Sequence, residues 1–113
     1  MEKKEIKVYT NFNGIEKNET FLAIKDEFVI KYTDLENNKM VIDTSNDIIR
    51  KENQDYLIEI YLQDNIIDIT IKKFRRKINK GIKTLLIEKR KKAYLIRYQL
   101  LDEKEINEYY VNF

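Results

Sequence analysis

The side chains that could do chemistry in this chain are carboxylates, amines and phenols, because histidine and cysteine are both absent. Without imidazole the commonest general base and the commonest metal ligand are missing. Without thiol there is no thiolate nucleophile, no disulfide and no cysteine-held metal. Ser45 is the only serine, and it has no imidazole or thiol partner to form a nucleophile dyad. Gly14 and Gly81 are the only glycines, too few for a phosphate-cradling loop. What remains are carboxylate pairs. Asp34 with Glu36, or Asp102 with Glu103, could ligate a hard cation or act as acid and base. The same pairs are ordinary turn residues. The composition therefore predicts a protein that is not an enzyme and uses no cofactor or metal.

Charge is the feature that stands out. Residues 72–92 carry eleven cations against Glu88 alone, a net +10, whereas residues 1–71 carry −6 and residues 93–113 carry −2. The overall +2 hides this asymmetry. Lys72, Lys73, Arg75, Arg76, Lys77, Lys89, Arg90, Lys91 and Lys92 are the candidate residues for binding a polyanion such as nucleic acid. Phosphate contacts alone support weak, salt-sensitive, sequence-independent association, and Tyr61, Tyr110 or Phe74 could stack on bases. Lysine, isoleucine and asparagine all use AT-rich codons, so part of this charge reflects composition. A solvated cationic rim also suppresses edge-to-edge pairing. Tyr94, Tyr98 and Tyr109 are a second candidate set, since hydroxyls on an apolar face suit a small-molecule pocket. Self-association through an open barrel seam, with a sheet edge left uncovered by the short N-terminal region, is a third possibility, and the expected state is a monomer or a homodimer.

The elements that must position these residues are strands. At 113 residues the chain has the length of one domain, 1–113, with no linker or repeat. Isoleucine and tyrosine are abundant, and alanine occurs only at Ala23 and Ala93, which favours sheet over helical bundle. Tyr56, Ile58, Ile60 and Leu62 alternate onto one face, and Ile67, Ile69 and Ile71 follow after Asp64-Asn65. A two-residue turn there would pair Ile60 with Ile69. Tyr94, Ile96, Tyr98 and Leu100 make a similar strand. A four-residue loop, 102–105, would set Tyr98 against Tyr109 and Tyr94 against Phe113. Ile6 to Phe12, Phe21 to Ile24, Phe28 to Tyr32, Met40 to Ile42, Ile48 to Arg50 and Ile82 to Glu88 complete about ten strands, with Phe74 to Lys80 as a connection or bulged strand. Short turns between consecutive strands predict an all-β, antiparallel up-and-down barrel of about 8–10 strands. No apolar run approaches the ~18 residues of a membrane span, and no signal segment follows Met1, so a cytoplasmic protein without membrane contact is expected.

Three segments carry a family resemblance: Phe28-Val29-Ile30-Lys31-Tyr32-Thr33-Asp34-Leu35-Glu36, Asp47-Ile48-Ile49-Arg50, and the closing Glu108-Tyr109-Tyr110-Val111-Asn112-Phe113. In element order and length the chain resembles the YwiB-like family of bacterial proteins over nearly its whole length. The resemblance implies a calycin-like (lipocalin-like) barrel and brings no catalytic residues with it.

Overall fold

The computed structural model describes residues 2–113 as ten antiparallel strands closed into a barrel. They are β1 (Glu2–Phe12), β2 (Ile15–Lys25), β3 (Val29–Thr33), β4 (Lys39–Asp43), β5 (Ile48–Glu52), β6 (Tyr56–Tyr61), β7 (Ile66–Ile71), β8 (Arg76–Arg90), β9 (Ala93–Leu100) and β10 (Ile106–Asn112). Each strand pairs with its neighbours in sequence, and β1 pairs with β10 to close the ring. The cause is the two-residue alternation. Ile6 and Val8, Ile30 and Tyr32, Met40 and Ile42, and Tyr94, Ile96 and Tyr98 all turn into one core. The outer face is charged, and cross-strand ion pairs sit on registered partners there. Arg50 Nε lies 2.9 Å from Glu59 and Arg97 Nε 2.8 Å from Glu108.

The turns explain how so short a chain makes ten strands. Asn13 and Gly14 both have positive φ, 54° and 80°, the backbone of a tight two-residue hairpin. The four-residue loops 44–47, 62–65 and 72–75 each end on a left-handed residue: Asp47, Asn65 and Arg75 respectively. Aspartate and asparagine adopt this conformation at little cost.

Two hairpin registers differ from the sequence-based expectation. Ile60 pairs with Ile67, and Ile69 with Ile58, so the loop spans 62–65 and not Asp64-Asn65 alone. Leu62 leaves the ladder because other partners satisfy its backbone. Its N–H donates to the Asp47 carbonyl (3.1 Å), and its carbonyl accepts from the Thr84 hydroxyl (2.7 Å). Likewise Tyr98 pairs with Asn107, Ile96 with Tyr109 and Tyr94 with Val111. The β9–β10 connection is longer than expected, braced by Gln99 Nε2 donating to the carbonyls of Glu103 and Lys104. Phe113 therefore runs past Tyr94; its N–H bonds the Lys92 carbonyl (2.9 Å) and Lys25 lies 5.1 Å from its ring centroid. Both shifts are by two residues, so every side chain keeps its face.

The strand edges and the position of the β8 bulge also differ from expectation. β1 is paired on both sides, so the N-terminal edge expected to be uncovered is covered. The wall loosens instead between β2 and β3, which pair only at Ile24–Lys31 and Lys25–Ile30. Residues 76–80 already belong to β8, whose bulge lies at Leu85, between Thr84 and Leu86.

Strand alternation divides the loops between two ends. Loops 13–14, 34–38, 53–55, 72–75 and 101–105 share one end, and 26–28, 44–47, 62–65 and 91–92 share the other. The second end is filled by Ile6, Ile30, Ile42, Leu62, Tyr94 and Val111, all almost fully buried. It is the closed end.

Candidate functional site

At the opposite end the core does not fill the barrel. A cavity of about 230 Å³ opens there. Its inner wall is apolar, made by Val8, Phe21, Met40, Ile49, Ile60 and Ile96. Three phenols face it: Tyr32 from β3, Tyr98 from β9 and Tyr109 from β10. The hydroxyls of Tyr32 and Tyr109 hydrogen-bond one another across the lumen. Phe21 stacks on Tyr32 with ring centroids 4.8 Å apart, and Phe12 tilts against Tyr109 at 6.4 Å. Aromatic contacts of this kind fix ring orientation and add to area burial.

The rim carries Lys17, Glu19, Asp34, Glu36 and Lys51. Three of these are already committed. Lys17 Nζ lies 3.3 Å from Glu36. Asp34 Oδ1 accepts the N–H groups of Glu36 and Asn38 (2.9 Å each), and its Oδ2 accepts Asn38 Nδ2 (3.0 Å). These bonds make Asp34 the organiser of the 34–38 loop, whose Asn37 is left-handed at φ 62°. Glu19 and Lys51 are half-buried and make no ion pair among the described residues. Strand parity turns both inward: Glu19 is registered with Val8 on β1, and Lys51 with Ile58 on β6.

The phenols are held neutral. Burial pushes the Tyr98 hydroxyl up to about 12, with the Glu103 carboxylate adding to the effect. Burial is also the main cause at Tyr32 and Tyr109, both well above the ordinary tyrosine value, and the carboxylates of Asp34 and Glu19 push each of them further. Neutral hydroxyls both donate and accept. The cavity thus offers apolar surface, hydroxyls and two opposite charges that have no ion-pair partner among the described residues.

Tyr94 lies elsewhere. It is 1% exposed at the closed end, where its hydroxyl donates to Asp47 Oδ1 (2.8 Å). Asp47, itself 2% exposed, also accepts Gln63 Nε2 at Oδ2 (2.7 Å) and lies 3.3 Å from Lys89 Nζ. This polar knot ties loops 44–47 and 62–65 to strands β8 and β9. Burial, reinforced by the hydrogen bond and charge of Asp47, raises Tyr94 far above its ordinary value. Of the three tyrosines singled out by sequence, the structure brings Tyr98 and Tyr109 to the cavity and puts Tyr94 in the plug beneath it.

The cations of the basic segment divide in the same way. Lys72, Lys73, Arg75, Arg76 and Lys77 surround the β7–β8 turn at the open end. Lys89, Arg90, Lys91 and Lys92 surround the β8–β9 turn at the closed end, separated from them by the length of β8. Several are neutralised locally. Lys72 pairs with Glu52 (2.8 Å), Lys77 with Asp68 (3.2 Å), Lys89 with Asp47 and Arg90 with Glu88 (2.9 Å). Phe74, 71% exposed, projects between Lys73 and Arg75, with Lys73 Nζ 5.7 Å from its ring centroid. Tyr61 and Tyr110 are half-buried, and the Tyr61 hydroxyl is spent on Glu59 (2.8 Å). The candidate carboxylate pairs serve loops: Asp34 and Glu36 in 34–38, Asp102 and Glu103 in 101–105. Among the described residues no three potential metal ligands of the Asp, Glu, His or Cys type cluster.

Sequence reasoning did not select Phe21, Tyr32, Glu19 or Lys51 as site residues. The signal for Glu19 and Lys51 was their parity, since each shares a strand face with buried residues, Phe21 and Ile49. Comparison with family models, curated proteins and solved structures finds no match to this chain.

Proposed function

We propose that this barrel is a binding protein that takes a compact, mostly apolar ligand into the open end of its lumen. The observation that carries this reading is the contrast between the two ends. The closed end is packed and tied by Asp47, whereas the open end keeps a cavity of about 230 Å³ with converging hydroxyls. Apolar concavities with a few placed polar groups are the usual form of small-molecule sites. The volume lies below the ~300–1,000 Å³ typical of drug-sized ligands, so the ligand is small. A calycin-type carrier role, in a protein that performs no catalysis on its ligand, agrees with the resemblance in sequence.

An environment-sensitive apolar dye tests this. It should gain fluorescence with the protein, and the double variant Thr10→Phe/Ile58→Trp, which narrows the cavity from two walls, should abolish the gain while the protein stays folded. Equal dye binding by the variant would remove the lumen from the explanation.

A second reading rests on the β7–β8 turn, where exposed Phe74 sits among Lys73, Arg75 and Arg76, none of which is in an ion pair among the described residues. One aromatic and three cations form a small stacking-and-phosphate surface for single-stranded nucleic acid. Anisotropy of labelled RNA and DNA should then fall steeply with salt and respond to Lys73→Gln/Arg75→Gln/Arg76→Gln. Binding indifferent to both would return the turn to the role of a solvated rim.

A further inference from the structure

We propose that the open-end cavity is built for a small zwitterion, with an ammonium group at Glu19 and a carboxylate at Lys51 on one apolar body. The inference rests on the lumen reading above and names the ligand class for that site.

Five charged residues line the cavity. Lys17 and Glu36 pair at 3.3 Å, and Asp34 keeps its charge but has both oxygens engaged by hydrogen bonds within its own loop. That leaves one carboxylate, Glu19, and one ammonium, Lys51, both half-buried. They stand on β2 and β5, with β3 and β4 between them, so they approach the lumen from different parts of the wall. No ion pair within 4.0 Å joins them. Hydrogen bonds between charged partners are roughly twice as strong as neutral ones, so a ligand that pairs both groups gains at each.

Single-charge ligands fit less well. An anion at Lys51 would leave the Glu19 carboxylate without a partner. A cation at Glu19 would leave Lys51 unmatched above apolar Met40 and Ile49. A zwitterion satisfies both, and its apolar body can lie on Val8, Ile60 and Ile96. The hydroxyls of Tyr98 and Thr10 can supply neutral hydrogen bonds beside it.

The test compares three probes with the same ring: phenylalanine, phenethylamine and 3-phenylpropionate, titrated calorimetrically and as competitors of the apolar dye. Phenylalanine should bind at least about tenfold more tightly than either analogue, a difference of about 1.4 kcal/mol. Glu19→Gln should reduce phenylalanine to the affinity of 3-phenylpropionate, and Lys51→Gln to that of phenethylamine. Either analogue equalling phenylalanine in the unsubstituted protein would overturn the inference, and this comparison needs no variant to fold. Dye binding without displacement by any of the three would overturn the zwitterion and leave the lumen reading intact. Failure of dye and probes alike would count against the lumen reading itself.

Discussion

Removing one hydroxyl at the closed end should cost much more than its size suggests. Tyr94→Phe deletes the hydroxyl that donates 2.8 Å to Asp47 Oδ1 and leaves the ring in place, so packing hardly changes. A hydrogen bond to a charged group contributes about 1.5–3 kcal/mol. Asp47 keeps Gln63 at 2.7 Å and Lys89 at 3.3 Å, which places the expected loss in the lower half, about 1.5–2 kcal/mol. At about 4 °C per kcal/mol for a domain of this size, the melting temperature should fall by about 6–8 °C. Urea unfolding should show a lower midpoint at unchanged slope. A double-mutant cycle with Asp47→Asn measures the part of the coupling that depends on the Asp47 charge, because asparagine keeps an acceptor oxygen and tolerates the left-handed backbone that Asp47 adopts at φ 56°. The coupling should exceed about 0.5 kcal/mol, the usual limit of additivity for independent sites. A smaller coupling, or a single-mutant loss below that figure, would show that the knot does not hold the plug together.

Other consequences follow from the same architecture. Ile60→Ala should cost about 2–3 kcal/mol in urea unfolding, toward the low end for such truncations, because Ile60 already borders the cavity; a cost above about 4 kcal/mol would indicate a filled lumen. Deleting residues 111–113 removes fully buried Val111 and the Phe113–Lys92 bond that secures the end of β10, so the melting temperature should drop sharply, and an unchanged value would contradict the pairing. Tyr32, Tyr94, Tyr98 and Tyr109 ionise later in the folded chain than in the unfolded one, chiefly through burial. Their contribution to stability is therefore full below about pH 10, the unfolded value, and is lost as pH rises toward the folded values. Tyrosinate absorbance should show these four ionising together with alkaline unfolding, and independent titration of all eight tyrosines before unfolding would refute it.

The barrel was legible because its cause is local. Alternation of Ile, Tyr and Val against charged residues specifies strands and faces, and short turns force consecutive strands together. What alternation cannot specify is register in steps of two, because such a shift leaves every face intact. Leu62 illustrates this: its backbone partners are Asp47 and Thr84, distant in sequence, and nothing near Asp64-Asn65 reveals them. The basic segment shows a different limit. Its density in sequence is real, but a strand as long as β8 carries its two ends to opposite ends of the barrel. Tyr98 and Tyr109 could be read as lumen residues from parity, whereas Tyr94, of the same parity, belongs to the plug because depth along the strand decides. Glu19 and Lys51 look like ordinary surface charges until the ring closes and turns them inward.

The most direct test of an open, ligand-binding lumen is a methyl-resolved NMR titration of isoleucine- and methionine-labelled protein with the apolar dye. The structure predicts shifts at Met40, Ile49, Ile58, Ile60 and Ile96, which line the cavity, and silence at Ile6, Ile30 and Ile42 in the plug. Shifts confined to the closed end or to the outer face, with the cavity methyls unmoved at saturation, would contradict it.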